Sequence, residues 1–156
     1  MAKAKEQWQG YSWPVRRDVV PSVVSVSACE RPPRGPTGRI VNALWAVDYA
    51  RSDCGRVRVG SPRGRWWRRA AGTAHLYPPG TPYWEDESDA QSPVREAWVI
   101  FAAGEQTELR ELVPAGRDFA RIADPEGRID TCLREMALAG RALGEAGFWQ
   151  VQIHLA

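Results

Sequence analysis

The chain has 156 residues, a formal net charge of +2 and a hydrophobic content of 44%. That length suits one domain with a real core, and that composition excludes a disordered tail. The near-balanced charge speaks against a freestanding nucleic-acid-binding domain, which would gather positive charge on one face.

No apolar run approaches the length of a membrane span, so no membrane partner is expected. The opening MAKAKEQWQG has lysines but no apolar stretch behind them, unlike a secretory signal. Cys29, Cys54 and Cys132 are odd in number and far apart, which fits free thiols in a reducing cytoplasm. Eight tryptophans exceed what a core this size needs, so some are expected at a ligand site.

Residues 1–18 mix charge with Trp8, Tyr11 and Trp13 without a period and read as a mobile arm. VVPSVVSVSA (19–28) reads as a β-branched strand broken near Pro21. ERPPRGPTGR (30–39) is a Pro/Gly loop. Trp45, Val47 and Tyr49 then alternate with Ala46, Asp48 and Ala50, a strand of period two. Ser52-Asp53-Cys54-Gly55 is expected to turn it into a hairpin with the run at 56–59. Short strands follow at 65–69, Thr73–Tyr77, Pro82–Asp86 and Val94–Ala102, with Gly and Pro between them, which predicts a barrel or sandwich over 19–104.

From 105 the pattern turns helical. A short helix is expected at 107–113. Asp124-Pro125-Glu126 looks like an N-cap Asp with Pro at the first helical position. Ile129, Cys132, Leu133, Met136, Gly140 and Leu143 fall on one stripe, ended by Gly144 or Gly147. A second stripe begins at Phe148.

The segment Gly72-Thr-Ala-His-Leu-Tyr-Pro-Pro-Gly-Thr-Pro-Tyr-Trp84 resembles the signature of the cupin-like N-terminal domain of AraC-family transcription regulators. Trp45-Ala-Val-Asp-Tyr49, Trp98-Val-Ile-Phe101, Leu133-Arg-Glu-Met136 and Gly144-Glu-Ala-Gly-Phe-Trp-Gln150 agree with it in order. The resemblance covers 19–156. It implies a mainly β fold: a cupin-like double-stranded β-helix (jelly-roll) barrel followed by C-terminal helices. It also implies a cytoplasmic effector-sensing domain that modulates DNA binding by a separate helix-turn-helix domain, of which this sequence shows nothing. The ending inside a helical stripe is read as a truncation before that domain.

In a sugar-responsive member of that family, a Trp of the W-V-x-F strand stacks on the sugar, and the matching residue is Trp98. Glu96 shares its strand face and stands where that relative has His; Glu85 stands where it has Tyr. Arg39 or Arg34 matches a contributing loop Arg, and Trp45 and Tyr49 complete the expected site. A Trp face beside a carboxylate suits a carbohydrate, the first expectation for the effector. Trp8, Tyr11 and Trp13 are expected to close over the ligand as a lid. Leu133, Met136, Leu143, Phe148, Val151 and Leu155 are expected to join two subunits into a homodimer.

Plainer readings stand beside these. Trp98 can be a core residue, and Glu96 can be buried by a structural salt bridge to an arginine. Arg63, Arg65, Arg68 and Arg69 read as a solvated strand face. His75 lacks a second histidine within reach, so no metal, no cofactor and no catalysis are expected. The competing class is a small metal-dependent cupin isomerase or oxygenase; a third is a carbohydrate-binding module.

Overall fold

The computed structural model describes residues 7–105 and 107–156. Along the chain run β1 (Gln7–Ser12), β2 (Ser22–Arg31), β3 (Ile40–Val41), β4 (Trp45–Ala50), β5 (Arg56–Val59), β6 (Trp66–Arg68) and β7 (Thr73–Tyr77). Then come β8 (Pro82–Asp86), β9 (Val94–Ala102), α1 (Thr107–Glu111), β10 (Ala120–Ala123), α2 (Arg128–Leu143), a 3-10 turn at Gly144–Gly147 and α3 (Phe148–Leu155). One sheet has the order β1-β2-β9-β4-β7-β10 and the other β3-β8-β5-β6, antiparallel throughout. The inner faces of the two sheets meet: Ala46 and Tyr77 of the first pack with Val57 and Val59 of the second. The architecture is the expected mainly β barrel with helices last.

The larger sheet has two buried faces, and strand alternation divides its side chains between them. On β4 and β9, Trp45, Val47, Tyr49, Ala97, Val99 and Phe101 face the helices and join the main core with Leu133, Met136, Phe148 and Val151. Ala46, Asp48, Glu96, Trp98 and Ile100 face the barrel lumen instead. An amphipathic helix needs an apolar sheet face to cover its stripe, so the bulky set goes to the helices and the smaller, more polar set lines the lumen.

The expected hairpin after β4 does not form. Ser52 to Gly55 carries the chain around a corner from one sheet to the other, and β5 pairs with β6 and β8. Gly55 takes φ +73°, and a Cβ there would collide with the Asp86 carbonyl, so this corner requires glycine. The strand expected over 19–28 runs on to Arg31, which brings that residue out of the expected loop and into the sheet.

At the start of α2, Asp124 caps from a distance. The helix begins at Arg128, and the Asp124 carboxylate accepts the N–H groups of Arg128 (2.9 Å) and Asp130 (3.1 Å) across the intervening turn. Tyr49 also hydrogen-bonds to Asp124 from the sheet, fixing the helix onto β4.

Of the arm expected at 1–18, residues 7–12 form a strand. β1 pairs with β2 from Gln7↔Glu30 to Ser12↔Ser25, and residues 1–6 lie outside the described residues. Trp13 is buried against Phe148, and its Nε1 donates to the Gly144 carbonyl at 3.1 Å. Tyr11 packs on Trp13, and both cross α2 at Gly140, where an added Cβ would meet them at 3.2 and 3.1 Å.

Four of the residues expected at a subunit interface are instead interior. Leu133, Met136, Phe148 and Val151 are each 3% exposed or less and face the sheet, because covering it is what the stripe is for. Leu155 packs partly against the same core, whereas Leu143 is exposed, as are Leu138, Trp149 and Ile153. No helix is long and apolar enough to cross a membrane among the described residues. Met136→Ala is expected to cost about 2–5 kcal/mol in urea unfolding, independent of protein concentration. A cost that grows on dilution would place Met136 at a subunit contact.

Candidate functional site

The lumen is built around two buried arginines. Arg31 lies at the end of β2 on the same side as Cys29 and Ser27, and Arg69 directly follows β6. Their side chains are 4% and 1% exposed. Arg31 forms a bidentate pair with Glu87, both bonds at 2.7 Å, and donates to Glu96 at 2.8 Å. Arg69 donates to Asp48 and to the other Glu96 oxygen, each at 2.7 Å, and lies 3.5 Å from Glu85 and 3.6 Å from Glu87. Glu96 thus bridges the two guanidiniums. The Nε of each arginine has no acceptor, so both are held through their outer nitrogens.

Burial and neighbours push these carboxyls apart. Glu96 is driven up by burial, but Arg69 and Arg31 outweigh that and hold it below the ordinary carboxylate range. Asp48 is pushed up to about 7, chiefly by burial, with Arg69 opposing and the charges of Glu96 and Glu85 adding. Glu85 is also raised by burial against the pull of Arg69. The Cys29 thiol, 3.6 Å from Glu96, is pushed by burial to about 12 and stays protonated.

Beside this network lies a cavity of about 230 Å³ lined by Asn42, Asp48, Tyr83, Glu85, Glu96, Trp98 and Ile100, with Ala46 and Val47. It is smaller than a drug-sized pocket and suits a molecule of roughly monosaccharide size or below. Trp98 sits between Ser27 and Asp48 in the sheet ladder and is partly exposed. Tyr77 stacks on Tyr83 (4.4 Å, 7°) and on Phe119, closing the apolar side of the lumen.

His75, on the lumen face of β7, is fully enclosed. Its Nε2 accepts from Arg121 Nε at 3.3 Å, which puts the proton on Nδ1, 3.2 Å from the Tyr77 hydroxyl. Burial, with Arg69 and Arg121 adding, holds it down at about 3, so it is neutral at ordinary pH.

Of the residues expected at the site, Trp98, Glu96 and Glu85 line one cavity. Glu96 owes its burial to the two arginines, which is the salt-bridge reading of that residue. Trp45 and Tyr49 lie on the opposite face, 3% exposed under the helices, because register assigns the bulky set to that side. Arg39 is exposed in the loop before β3, a loop anchored through Thr37 to the Glu85 backbone of β8. Of the expected lid, Trp8 meets Trp98 edge-on at 5.4 Å, whereas Tyr11 and Trp13 point to the helices. The basic cluster divides as well. Arg68 pairs at the surface with Asp53 and Asp89, Arg65 stacks on Trp67, and Arg69 turns inward. Sequence reasoning missed Arg31, Asp48, Arg69, Tyr83 and Glu87; the one available signal was the polar Asp48 within WAVDYA. Among the described residues no group of three or more His, Cys, Asp or Glu is placed to hold a metal ion.

The fold is that of a cupin-like domain. The chain is similar in structure to YhaK from Escherichia coli, with a TM-score of 0.55 and 15% identity over 78% of this chain and 53% of that one. The chain therefore spans about half the length of YhaK, and at that identity the likeness speaks to fold alone. Weaker likenesses include a cupin domain from Bordetella pertussis (TM-score 0.43, 17% identity, 66% of this chain and 99% of that one). They also include YcfD, a ribosomal oxygenase from Escherichia coli (TM-score 0.41, 18% identity, 58% of this chain and 26% of that one). No protein-family model matches the chain. No curated protein matches it either.

Two outcomes are expected. Arg69→Met strands Asp48 and Glu85, leaves Glu96 to Arg31 and costs about 3–5 kcal/mol at pH 8; the loss shrinks at pH 5, where Asp48 takes up a proton in the folded state. An equal loss at both pH values would contradict the charge network. His75, depressed when folded, contributes stability above its unfolded value near 6.5 that is lost as pH falls towards 3. His75→Gln should therefore flatten the wild-type decline between pH 6.5 and 4 by up to about 1.4 kcal/mol per unit in urea titrations.

Proposed function

We propose that this domain binds a small polar effector in the barrel lumen against Trp98 and relays its presence to the helices, without chemistry on the ligand. The observation that carries this reading is the placement of β1. Alternation along that strand puts Trp8 on the Trp98 side and Tyr11 on the helix side, followed by buried Trp13. One short strand thus touches the indole that walls the cavity and also packs on α2 and α3. A ligand that moves Trp98 changes what Trp8 rests on, and the other end of β1 carries the change to Gly140 and Phe148.

The sequence resemblance supplies the wider setting: the sensing half of an AraC-type regulator in the cytoplasm, acting on DNA through a separate domain. Exposed Leu138, Leu143, Trp149 and Ile153 give α2 and α3 an outer apolar face suited to a second copy of the chain. The reading without catalysis is supported by the lumen chemistry, where His75 is hydrogen-bonded on both nitrogens and Glu96 is tied to two guanidiniums. A sugar, with hydroxyls on Asp48 and Glu85 and C–H groups on Trp98, is the effector class expected from the sequence.

A thermal-shift screen of small polar metabolites, sugars included, tests the reading. A binder should raise the melting temperature of the wild type and protect the arm near Trp8 from protease. Trp98→Ala should lose both effects while its ligand-free melting temperature changes by only a few degrees. A binder whose shift survives Trp98→Ala, or turnover of the bound compound, would contradict the proposal.

A further inference from the structure

The lumen carries more negative than positive charge. Asp48, Glu85, Glu87 and Glu96 face it, against Arg31 and Arg69. Counting Arg121, whose guanidinium donates to His75 on the lumen face, as a third cation still leaves four acids against three bases. The deficit is local. Glu87 and Glu96 are gripped by short bonds, and Glu96 uses both oxygens on guanidiniums. Among the described residues Asp48 is held by Arg69 through Oδ2, and Glu85 is met by Arg69 at 3.5 Å. Both under-engaged acids line the cavity, and so does Trp98.

We infer that the ligand of this cavity is a small organic cation, a protonated amine or guanidinium, held by Asp48 and Glu85 with its carbon skeleton or charge against the Trp98 indole. This rests on the lumen being the binding site. A buried surplus of negative charge is costly and is relieved by a bound cation at short range. Indole is the best of the aromatic faces for a cation. A neutral polyol would donate the same hydrogen bonds but leave the charge uncompensated. An inorganic ion fits poorly, because the described residues place no three metal-ligating side chains together. Until a cation arrives, the raised carboxyls of Asp48 and Glu85 let protons fill part of the same role.

The test sets two cations against a neutral compound built on the same four-carbon chain. Calorimetry at pH 8 compares 1,4-diaminobutane and 4-aminobutylguanidine with 1,4-butanediol, and a monosaccharide panel runs alongside. The expected result is saturable binding of at least one cation, none of the diol, and a tenfold or greater loss with Glu85→Gln and with Trp98→Ala. Asp48→Asn should act likewise. Should that variant fold poorly, Glu85→Gln carries the test, because Glu85 contributes no short bond to the network. Asp89→Asn, a surface acid paired with Arg68, should leave binding unchanged. Equal binding of diol and diamine, or cation binding indifferent to Glu85→Gln, overturns the inference. A sugar bound through Trp98 with no cation bound also overturns it, yet leaves the lumen as the effector site. No binding of either class removes both.

Discussion

Everything in this barrel turns on how Arg31 and Arg69 are kept charged in a place with almost no water. A guanidinium does not surrender its proton, so burial forces the surrounding sequence to supply carboxylates at bonding distance. The chain does so from several segments: β2 and β6 bring the arginines, β4 and β9 bring Asp48 and Glu96, and β8 with its following turn brings Glu85 and Glu87. Because those acids come from both sheets, the network bolts the sheets together as well as furnishing the lumen. It also decides which faces are available for function. Glu96 is consumed by structure, and the chemistry left over belongs to Asp48, Glu85, Tyr83 and Trp98.

The second organising constraint is that one sheet has to serve two interiors. Its outer face is an apolar bed for α2 and α3, and its inner face is a polar wall. The same strands therefore carry Val99 towards the helices and Trp98 towards the lumen cavity, with one peptide bond between them. β1 repeats the division, with Trp8 on one side and Tyr11 and Trp13 on the other, so one strand touches both the lumen indole and the helices.

Much of this was legible in the sequence, and the failures have physical causes. Strand spacing, Gly/Pro punctuation and the late helical stripe predict a barrel followed by helices, as observed. The period of WAVDYA is equally plain, yet period alone does not say which face a strand turns where. The helices settle that by demanding the apolar face, which sends Trp45 and Tyr49 away from the cavity. Arg31 and Arg69 sit at strand ends beside Pro/Gly or Arg-rich runs, where a charged residue ordinarily faces solvent; only the convergence of six segments shows them to be internal. The missed corner at Gly55 has a similar origin, since a tight turn between two strands looks the same locally whether they share a sheet or not.

The most direct test of the central claim is the titration of individual side-chain carboxyls by carbon-detected NMR on the ligand-free protein. The charge network requires Asp48 to titrate late, near pH 7, while Glu96 stays ionised below the ordinary carboxylate range. Both groups titrating together near the usual value of about 4 would mean that these carboxyls are neither buried nor held by the arginines, and would contradict the lattice.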